Sequence, residues 1–256
     1  TVIADPTKTA RCQALPTPAQ SVATQYGFVF AACNPTNKTP AAFALGRQQA
    51  LADDPVTGLK AQIDDVPNLG TPLGPTDMVM FTIGTNDVID VYEKFADRQA
   101  ALTEATRRGT VVAAQVNRVL ATGARGVVLT IPVLGKSPYA LAKPAADQTL
   151  IADLTAAFNT ALRLGIDATR YDGRNYGLVL ADDVTAAIER FPDSYLSSPS
   201  NKTEARCASV AVPKDCVTST TVLSGTHLWA SDRFLGPVAN AQIGSQVLSR
   251  VLNNPF

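Results

Sequence analysis

A short polar block follows an apolar run and carries a side chain suited to stabilising a developing negative charge. Gly84-Thr-Asn-Asp87 comes directly after Met78-Val-Met-Phe-Thr-Ile83. A glycine there permits a tight turn, and the amide NH2 of Asn86 can donate a hydrogen bond to an oxyanion. Because Asn and Asp are also common turn formers, the block alone is typical of an ordinary loop. Its position after a buried strand favours the oxyanion interpretation.

His227 is the only histidine and therefore the only imidazole available as a general base. A loop that folds back could bring this imidazole to an active site. The alternative is a partly exposed residue at the start of a segment, where it makes one or two hydrogen bonds. Trp229, close by, is predicted to lie in the core. We predict no cofactor and no metal site, since zinc sites bring their ligands two to four residues apart.

The four cysteines form two local pairs, Cys12 with Cys33 and Cys207 with Cys216. Each pair brackets Pro-rich or polar sequence typical of a loop, and two disulfides are the predicted outcome. Disulfides persist in oxidising compartments, so the expected location is secreted or periplasmic.

Three apolar runs are predicted to form strands, and the first two have the length and β-branched content of buried parallel strands. They are Met78–Ile83, Val127–Ile131 and Tyr176–Ala181. Helical spacing separates them at Asp97–Ala121 and at Ala146–Leu164, and further helices are predicted at Val184–Arg190 and Val238–Leu252. On the first of these helices an apolar face is predicted, with Arg107, Arg108 and Arg118 exposed to solvent.

This alternation predicts an α/β fold with a doubly wound, mainly parallel sheet, and ligand chemistry at the carboxyl ends of its strands. One domain over residues 1–256 is expected. Residues 191–225 lose the periodicity and are predicted to form a long loop excursion held by the second cysteine pair.

The charges balance, with 22 basic and 22 acidic residues and no run of one sign. A nucleic-acid partner is therefore not expected. No apolar stretch approaches the ~18 residues of a membrane span. Protein partners and oligomeric state are not indicated.

Several segments, in order, resemble the sequence blocks of the SGNH/GDSL family of serine esterases and lipases. Gly84-Thr-Asn-Asp87 resembles the block with the oxyanion-hole Asn, and Ala42-Phe-Ala-Leu-Gly46 the block whose Gly amide serves the same hole. Gly126–Gly135 with Ser137-Pro-Tyr139, and Leu180–Val184, resemble the stretches that follow. The resemblance covers roughly residues 20 to 256. It implies a flavodoxin-like three-layer α/β/α sandwich, with Gly46 and Asn86 as the oxyanion hole.

Two parts of the family pattern are missing. No Gly-Asp-Ser nucleophile motif occurs in the chain. Either this block lies upstream of Thr1, or Ala4-Asp5-Pro6 is its remnant. In the final block, alignment on Leu228-Trp-Ala and Pro237 puts Ser231 at the catalytic Asp position and Phe234 at the His position. If the alignment is shifted by one residue, Asp232 matches the catalytic Asp, but Leu235 then stands at the position of the catalytic His.

The resemblance implies hydrolysis of carboxylic esters by a serine nucleophile, with a small-molecule or lipid ester as the ligand. Phe and Leu accept no proton, so the chemistry is expected to be impaired in this chain. The alternative is a pseudoenzyme, a binding or scaffold module that keeps the pocket and the Asn86 donor.

Overall fold

The computed structural model describes residues 17–30, 41–42, 51–69, 72–170, 173–207 and 225–253. In chain order the helices and strands of these residues are α1 (Pro18–Gln25), β1 (Val29–Phe30), β2 (Ala41–Ala42), α2 (Leu59–Asp64), β3 (Met78–Phe81), α3 (Thr85–Lys94), α4 (Arg98–Leu120), β4 (Arg125–Leu129), α5 (Pro138–Leu141), α6 (Ala145–Leu164), β5 (Tyr176–Val179), α7 (Ala181–Arg190), α8 (Pro192–Tyr195), β6 (Asn201–Ala205), β7 (His227–Trp229) and α9 (Pro237–Asn253). Gly46, Cys12, Cys33 and Cys216 lie outside the described residues.

The chain divides into two compact units. The first unit consists of Thr1–Leu45, Lys136–Ala142 and Asp183–Leu248, and the second of Gly46–Gly135, Lys143–Asp182 and Ser249–Phe256. The expectation of one domain over the whole chain stays a prediction.

The second unit is built on a parallel sheet with the strand order β3-β4-β5. Its register pairs Met78 with Arg125 and Phe81 with Val128, and then Gly126 with Tyr176 and Leu129 with Val179. Parallel strands need a crossover connection, which here contains α4 and then α6. The α/β class and the parallel pairing predicted from the sequence are therefore confirmed.

The long helix α4 is amphipathic, and it packs on α6 and β4. It begins after Asp97, whose carboxylate accepts a hydrogen bond from the Ala100 backbone N–H and so caps the helix. Its apolar stripe is buried as predicted. The prediction that Arg108 is exposed to solvent is wrong, because this residue is 6% exposed and lies within that stripe. Its side chain can be buried because three carboxylates surround it.

In the first unit, β1 pairs with β2 and β6 pairs with β7, both in parallel. Helix α1 begins with a capping box, in which Thr17 and Gln20 exchange hydrogen bonds between side chain and backbone. Helix α9 passes close to α1, because a Cβ added to Gly244 would lie 2.8 Å from the Ser21 hydroxyl.

Residues 191–207, the described part of the predicted loop excursion, contain a short helix and a strand, α8 and β6. Strand β6 has no buried residue, so it lacks the alternation that identifies a half-buried strand. Cys207 follows β6 and is buried. Both cysteine pairings stay predictions, since Cys12, Cys33 and Cys216 lie outside the described part of the chain. No helix in that part is long and apolar enough to cross a membrane.

The turn at Gly84 gives a first testable prediction. Gly84 has φ +129°, and a Cβ there would lie 2.5 Å from the Phe158 ring and 2.9 Å from Ile131 Cγ2. Gly84→Ala is expected to lower the free energy of unfolding by about 2–4 kcal/mol, from backbone strain and overpacking together. Urea denaturation measures this. Gly74→Ala is the control, since a Cβ at Gly74 meets nothing within 4 Å. Equal effects at both positions would contradict the prediction.

Candidate active site

Asn86 lies in the first turn of α3, which begins just past the carboxyl end of β3. Gly84 is the residue before the helix, and its carbonyl accepts a hydrogen bond from the Val88 N–H at 3.0 Å. The positive φ of Gly84 lets the chain turn from strand to helix within a few residues. Asn86 is half-buried. The local sequence therefore places a side-chain amide at the strand edge where α/β proteins bind ligands.

The partner predicted for Asn86 in the oxyanion hole is Gly46. Because Gly46 lies outside the described residues, their proximity stays a prediction.

Asp87, the next residue, is buried completely and makes a long-range contact. Its two carboxylate oxygens accept from the Ala52 backbone N–H at 2.9 and 3.2 Å. Arg108 Nη1 lies 3.5 Å from Oδ1, close enough for an ion pair. Burial raises the pKa of Asp87 to about 6, and the Ala52 hydrogen bond and Arg108 oppose this shift.

A buried polar cluster fixes the carboxyl ends of β4 and β5. The Asn159 amide on α6 accepts from the Ile131 N–H at 2.9 Å and donates to the Ile131 carbonyl at 3.0 Å. Its NH2 also donates to Asp182 at 3.3 Å. Thr130 donates to the same Asp182 at 2.5 Å. The neighbouring Phe158 ring packs against Gly84, so two adjacent residues of α6 hold the ends of β3 and β4.

His227, Ser231 and Phe234 all belong to the first unit. His227 begins β7 and is half-buried, and its Nδ1 lies 2.7 Å from the Thr226 hydroxyl oxygen. Burial lowers the pKa of His227, with a further contribution from Arg206. This shift of the pKa favours the neutral imidazole, the form that can accept a proton. Trp229 is buried, as predicted.

A tight reversal of the chain connects β7 to α9. It contains Ser231 and Phe234, the residues that the resemblance aligns with a catalytic Asp and His. Trp229 pairs with Leu235 in an antiparallel bridge, and the Ala230 N–H donates to the Phe234 carbonyl at 2.8 Å. The Ser231 hydroxyl oxygen accepts from the Phe234 N–H at 3.3 Å, and the hydroxyl donates to Asp232 at 3.3 Å. Ser231 is 1% exposed, whereas Phe234 is half-buried.

The shifted register places Asp232 at the acid position. This carboxylate is bound by Arg233, through Nε at 3.1 Å and Nη2 at 2.8 Å. The Arg233 guanidinium also lies over the Tyr139 ring, 4.9 Å from its centroid. Asp232 is therefore already neutralised by a neighbouring cation.

The sequence interpretation predicted that Arg108 is exposed and did not name Asn159, and both residues are buried. Arg108 was detectable in principle, because it falls between Ala105 and Val112 on the apolar stripe of α4. Asn159 gave no comparable signal, since a polar residue on a helix is ordinary until its partners are known.

The second unit also has a cleft of about 500 Å³ beside α2 and α4, lined by Ala52, Asp53, Asp54, Pro55, Lys60, Ala61, Asp64, Val111 and Gln115. Its carboxylates are bound within the protein: Asp53 by Arg107, Asp64 by Lys60 and Arg118, and Asp54 by Thr57. The cleft therefore shows no unpartnered charge for a ligand.

No known protein-family model matches this chain, and no curated protein matches it either.

Proposed function

We propose that this chain is an SGNH/GDSL-type hydrolase in which ester hydrolysis is impaired. The class chemistry is attack of a serine on a carboxylic ester, with the oxyanion bound by Gly46 and Asn86. The single observation that carries the proposal is the reversal between β7 and α9. It contains Ser231 and Phe234, which the resemblance aligns with an acid and a base, and its own hydrogen bonds hold both residues, which supports the proposed impairment.

The position of Asn86 supports the oxyanion role. Its amide lies in the first turn of a helix, where the helix dipole favours negative charge. A neutral amide there can donate a hydrogen bond to an oxyanion without requiring a bound cation.

The expected defect is the lack of a base that accepts the proton of the serine hydroxyl. A serine hydroxyl becomes a useful nucleophile only when a nearby base accepts its proton. The Phe234 ring has no lone pair for this, and Ser231 has no carboxylate to orient a base. Hydrolysis then depends on substrate binding and oxyanion stabilisation alone, and template enzymes lose about 10⁴–10⁶-fold under such conditions.

A second candidate is a non-catalytic module that binds a small-molecule or lipid ester. The observation that favours it is the buried Ser231, whose hydroxyl is already used within the reversal. A buried, hydrogen-bonded serine at the position that the resemblance assigns to the acid supports this candidate. Secretion or a periplasmic location, with two disulfides, belongs to both candidates.

Hydrolysis of p-nitrophenyl acetate and butyrate tests the proposal. We expect kcat/KM to be at least about a thousandfold below that of a competent serine esterase. In an impaired hydrolase, Asn86→Ala lowers the residual rate by about a hundredfold, the cost of one oxyanion donor. In a binding module, the same change leaves the rate unaltered.

His227→Ala is the second arm of this experiment. The proposal expects no effect, because Phe234 occupies the base position. Wild-type turnover on the order of 1 s⁻¹ or faster, abolished by His227→Ala, would show that this histidine acts as the base and that the site is not impaired.

A further inference from the structure

Asp87 ties together two parts of the second unit that are distant in sequence. The Ala52 N–H that it binds belongs to the segment 51–58, and both Ala52 and Asp87 are fully buried. The carboxylate is in the first turn of α3, beside Asn86. Whatever holds Asp87 therefore also restrains the turn that carries Asn86.

The segment 51–58 is internally fixed, so it provides a firm anchor. Asp54 accepts from the Val56 N–H at 2.9 Å, the Thr57 N–H at 2.6 Å and the Thr57 hydroxyl at 2.9 Å. The Ala52 carbonyl accepts from the Leu59 N–H at 3.1 Å. The Ala52 residue is thus held through its N–H by Asp87 and through its carbonyl by the start of α2.

The charges around Asp87 are shared among four carboxylates and three cations. Arg108 pairs with Asp87 at 3.5 Å, with Asp90 at 2.7 Å and with Glu104 at 2.9 Å. The other pairs in this group are Lys94 with Asp90, and Arg107 with both Glu104 and Asp53.

Among these carboxylates, Asp87 is the most buried, and Arg108, its one cation within the described residues, is shared with Asp90 and Glu104. Asp90 and Glu104 each have a second cation, and Asp53 is exposed and paired with Arg107. The protonation of Asp87 is therefore sensitive to pH near neutrality, and burial raises its pKa to about 6.

We infer that Asp87 is a positioning residue for Asn86, which it holds by anchoring the first turn of α3 to Ala52 through its ionised carboxylate. This inference rests on the proposed function only in that Asn86 is the oxyanion donor. When Asp87 is protonated, one oxygen becomes a hydroxyl and the pairing with Arg108 is lost. The Ala52 N–H keeps a weaker hydrogen bond to a neutral acceptor, and the anchor loosens.

The test is an NMR titration of the whole chain between pH 4.5 and 7.5. The signals followed are the Ala52 backbone N–H and the Asn86 side-chain NH2. We expect both to shift with a common midpoint near pH 6. Thr57 is the internal control, because its N–H is bound to Asp54, whose pKa is lowered by that hydrogen bond. The Thr57 signal is expected to stay constant.

Asp87→Asn provides the matched variant, because the amide oxygen still accepts from Ala52 but the side chain does not titrate. Both transitions are expected to disappear in this variant. A wild-type titration in which Ala52 shifts and Asn86 does not would overturn the inference. So would an Asn86 transition that persists in Asp87→Asn.

Failure of this inference is separable from failure of the proposed function, since the titration needs no ester hydrolysis. Where residual hydrolysis by the Asn86 site is measurable, Asp87→Asn is expected to lower kcat with KM unchanged. Coupled titration without an effect on kcat would leave the anchor in place and count against the oxyanion role of Asn86.

Discussion

Ser231→Asp and Phe234→His, introduced together into a chain with a Gly-Asp-Ser block ahead of Thr1, are expected to raise ester hydrolysis at least about a thousandfold. The reversal between β7 and α9 offers a backbone hydrogen-bond donor to the first change and a half-buried position to the second. An Asp at position 231 can accept the Phe234 backbone N–H that the Ser231 oxygen now accepts at 3.3 Å. A histidine at position 234 takes a half-buried place, where its imidazole keeps access to solvent. The measurement is kcat/KM on p-nitrophenyl esters.

The controls for this gain are the two single variants in the same extended chain. Because the acid and base act as a unit, each single change is expected to recover much less than the pair. A double variant that folds, by circular dichroism, and still hydrolyses no faster than the starting chain would remove the main support for an esterase lineage.

Arg108→Met is expected to lower the free energy of unfolding by about 3–5 kcal/mol at pH 7, the cost of removing one partner from a buried ionic cluster. Asp90 keeps Lys94 and Glu104 keeps Arg107 after the change. Asp87 loses its pairing with Arg108, its one cation among the described residues, and remains buried. Guanidinium denaturation followed by circular dichroism measures the loss.

The neighbouring Arg107 supplies the control. Its side chain is 47% exposed, against 7% for Arg108. Arg107→Met is expected to cost about 0.2–1 kcal/mol, as for other exposed ion pairs. Similar losses in the free energy of unfolding for Arg107→Met and Arg108→Met would contradict the prediction that the buried ion pairs of Arg108 are the stronger ones.

The difference in unfolding free energy between wild type and Arg108→Met is expected to depend on pH, and the pKa of Asp87 determines its sign. Asp87 has a folded-state pKa of about 6, above its ordinary value of 3.8. Its protonated form is therefore favoured by the fold, and this contribution to stability is complete below about pH 4 and lost as the pH rises through 6. Without Arg108 the carboxylate is harder to ionise, so the gap between wild type and Arg108→Met is expected to widen from pH 4.5 to 7.

The sheet of the second unit was predictable because its strands are apolar runs, although β3 is mostly half-buried and only β4 and β5 are mostly buried. Short runs rich in Val, Ile, Leu and Met identified β3 and β4, and the apolar stripe identified α4. The structure shortens the apolar runs by two residues at their carboxyl ends, where Thr82 and Ile83, and Thr130 and Ile131, leave the strands. Hydropathy does not mark this point, because those residues stay apolar or β-branched after the backbone ladder has ended.

Strand β6 was missed for the opposite reason. Its residues Asn201–Ala205 are polar and none is buried, so the pairing with β7 depends on backbone hydrogen bonds that no side-chain pattern records. Arg108 was misassigned because a charged residue on a helix is usually solvated. Its burial depends on Asp87 and Asp90, which belong to a different helix.

The candidate site was predictable only to the level of single positions. The block at Gly84–Asp87 identified a strand-to-helix turn, and the positive φ of Gly84 confirms that a glycine is required there. The contact between Asp87 and Ala52 spans 35 residues, and that between Asn159 and Ile131 spans 28. Contacts at these separations follow from tertiary packing, which a motif does not encode.

The Asn159 side-chain amide holds Ile131, two residues past the end of β4, by contacts different from those that hold the strand itself. Residues of β4 up to Leu129 are held by the neighbouring strands β3 and β5. The Ile131 peptide is held instead by a side chain of α6, through both its N–H and its carbonyl. In native-state hydrogen exchange, protection at Ile131 thus reports the opening of α6, while protection within β4 reports the opening of the sheet. We therefore expect the amide of Ile131 and the amides of β4 to exchange as parts of two separate cooperative units.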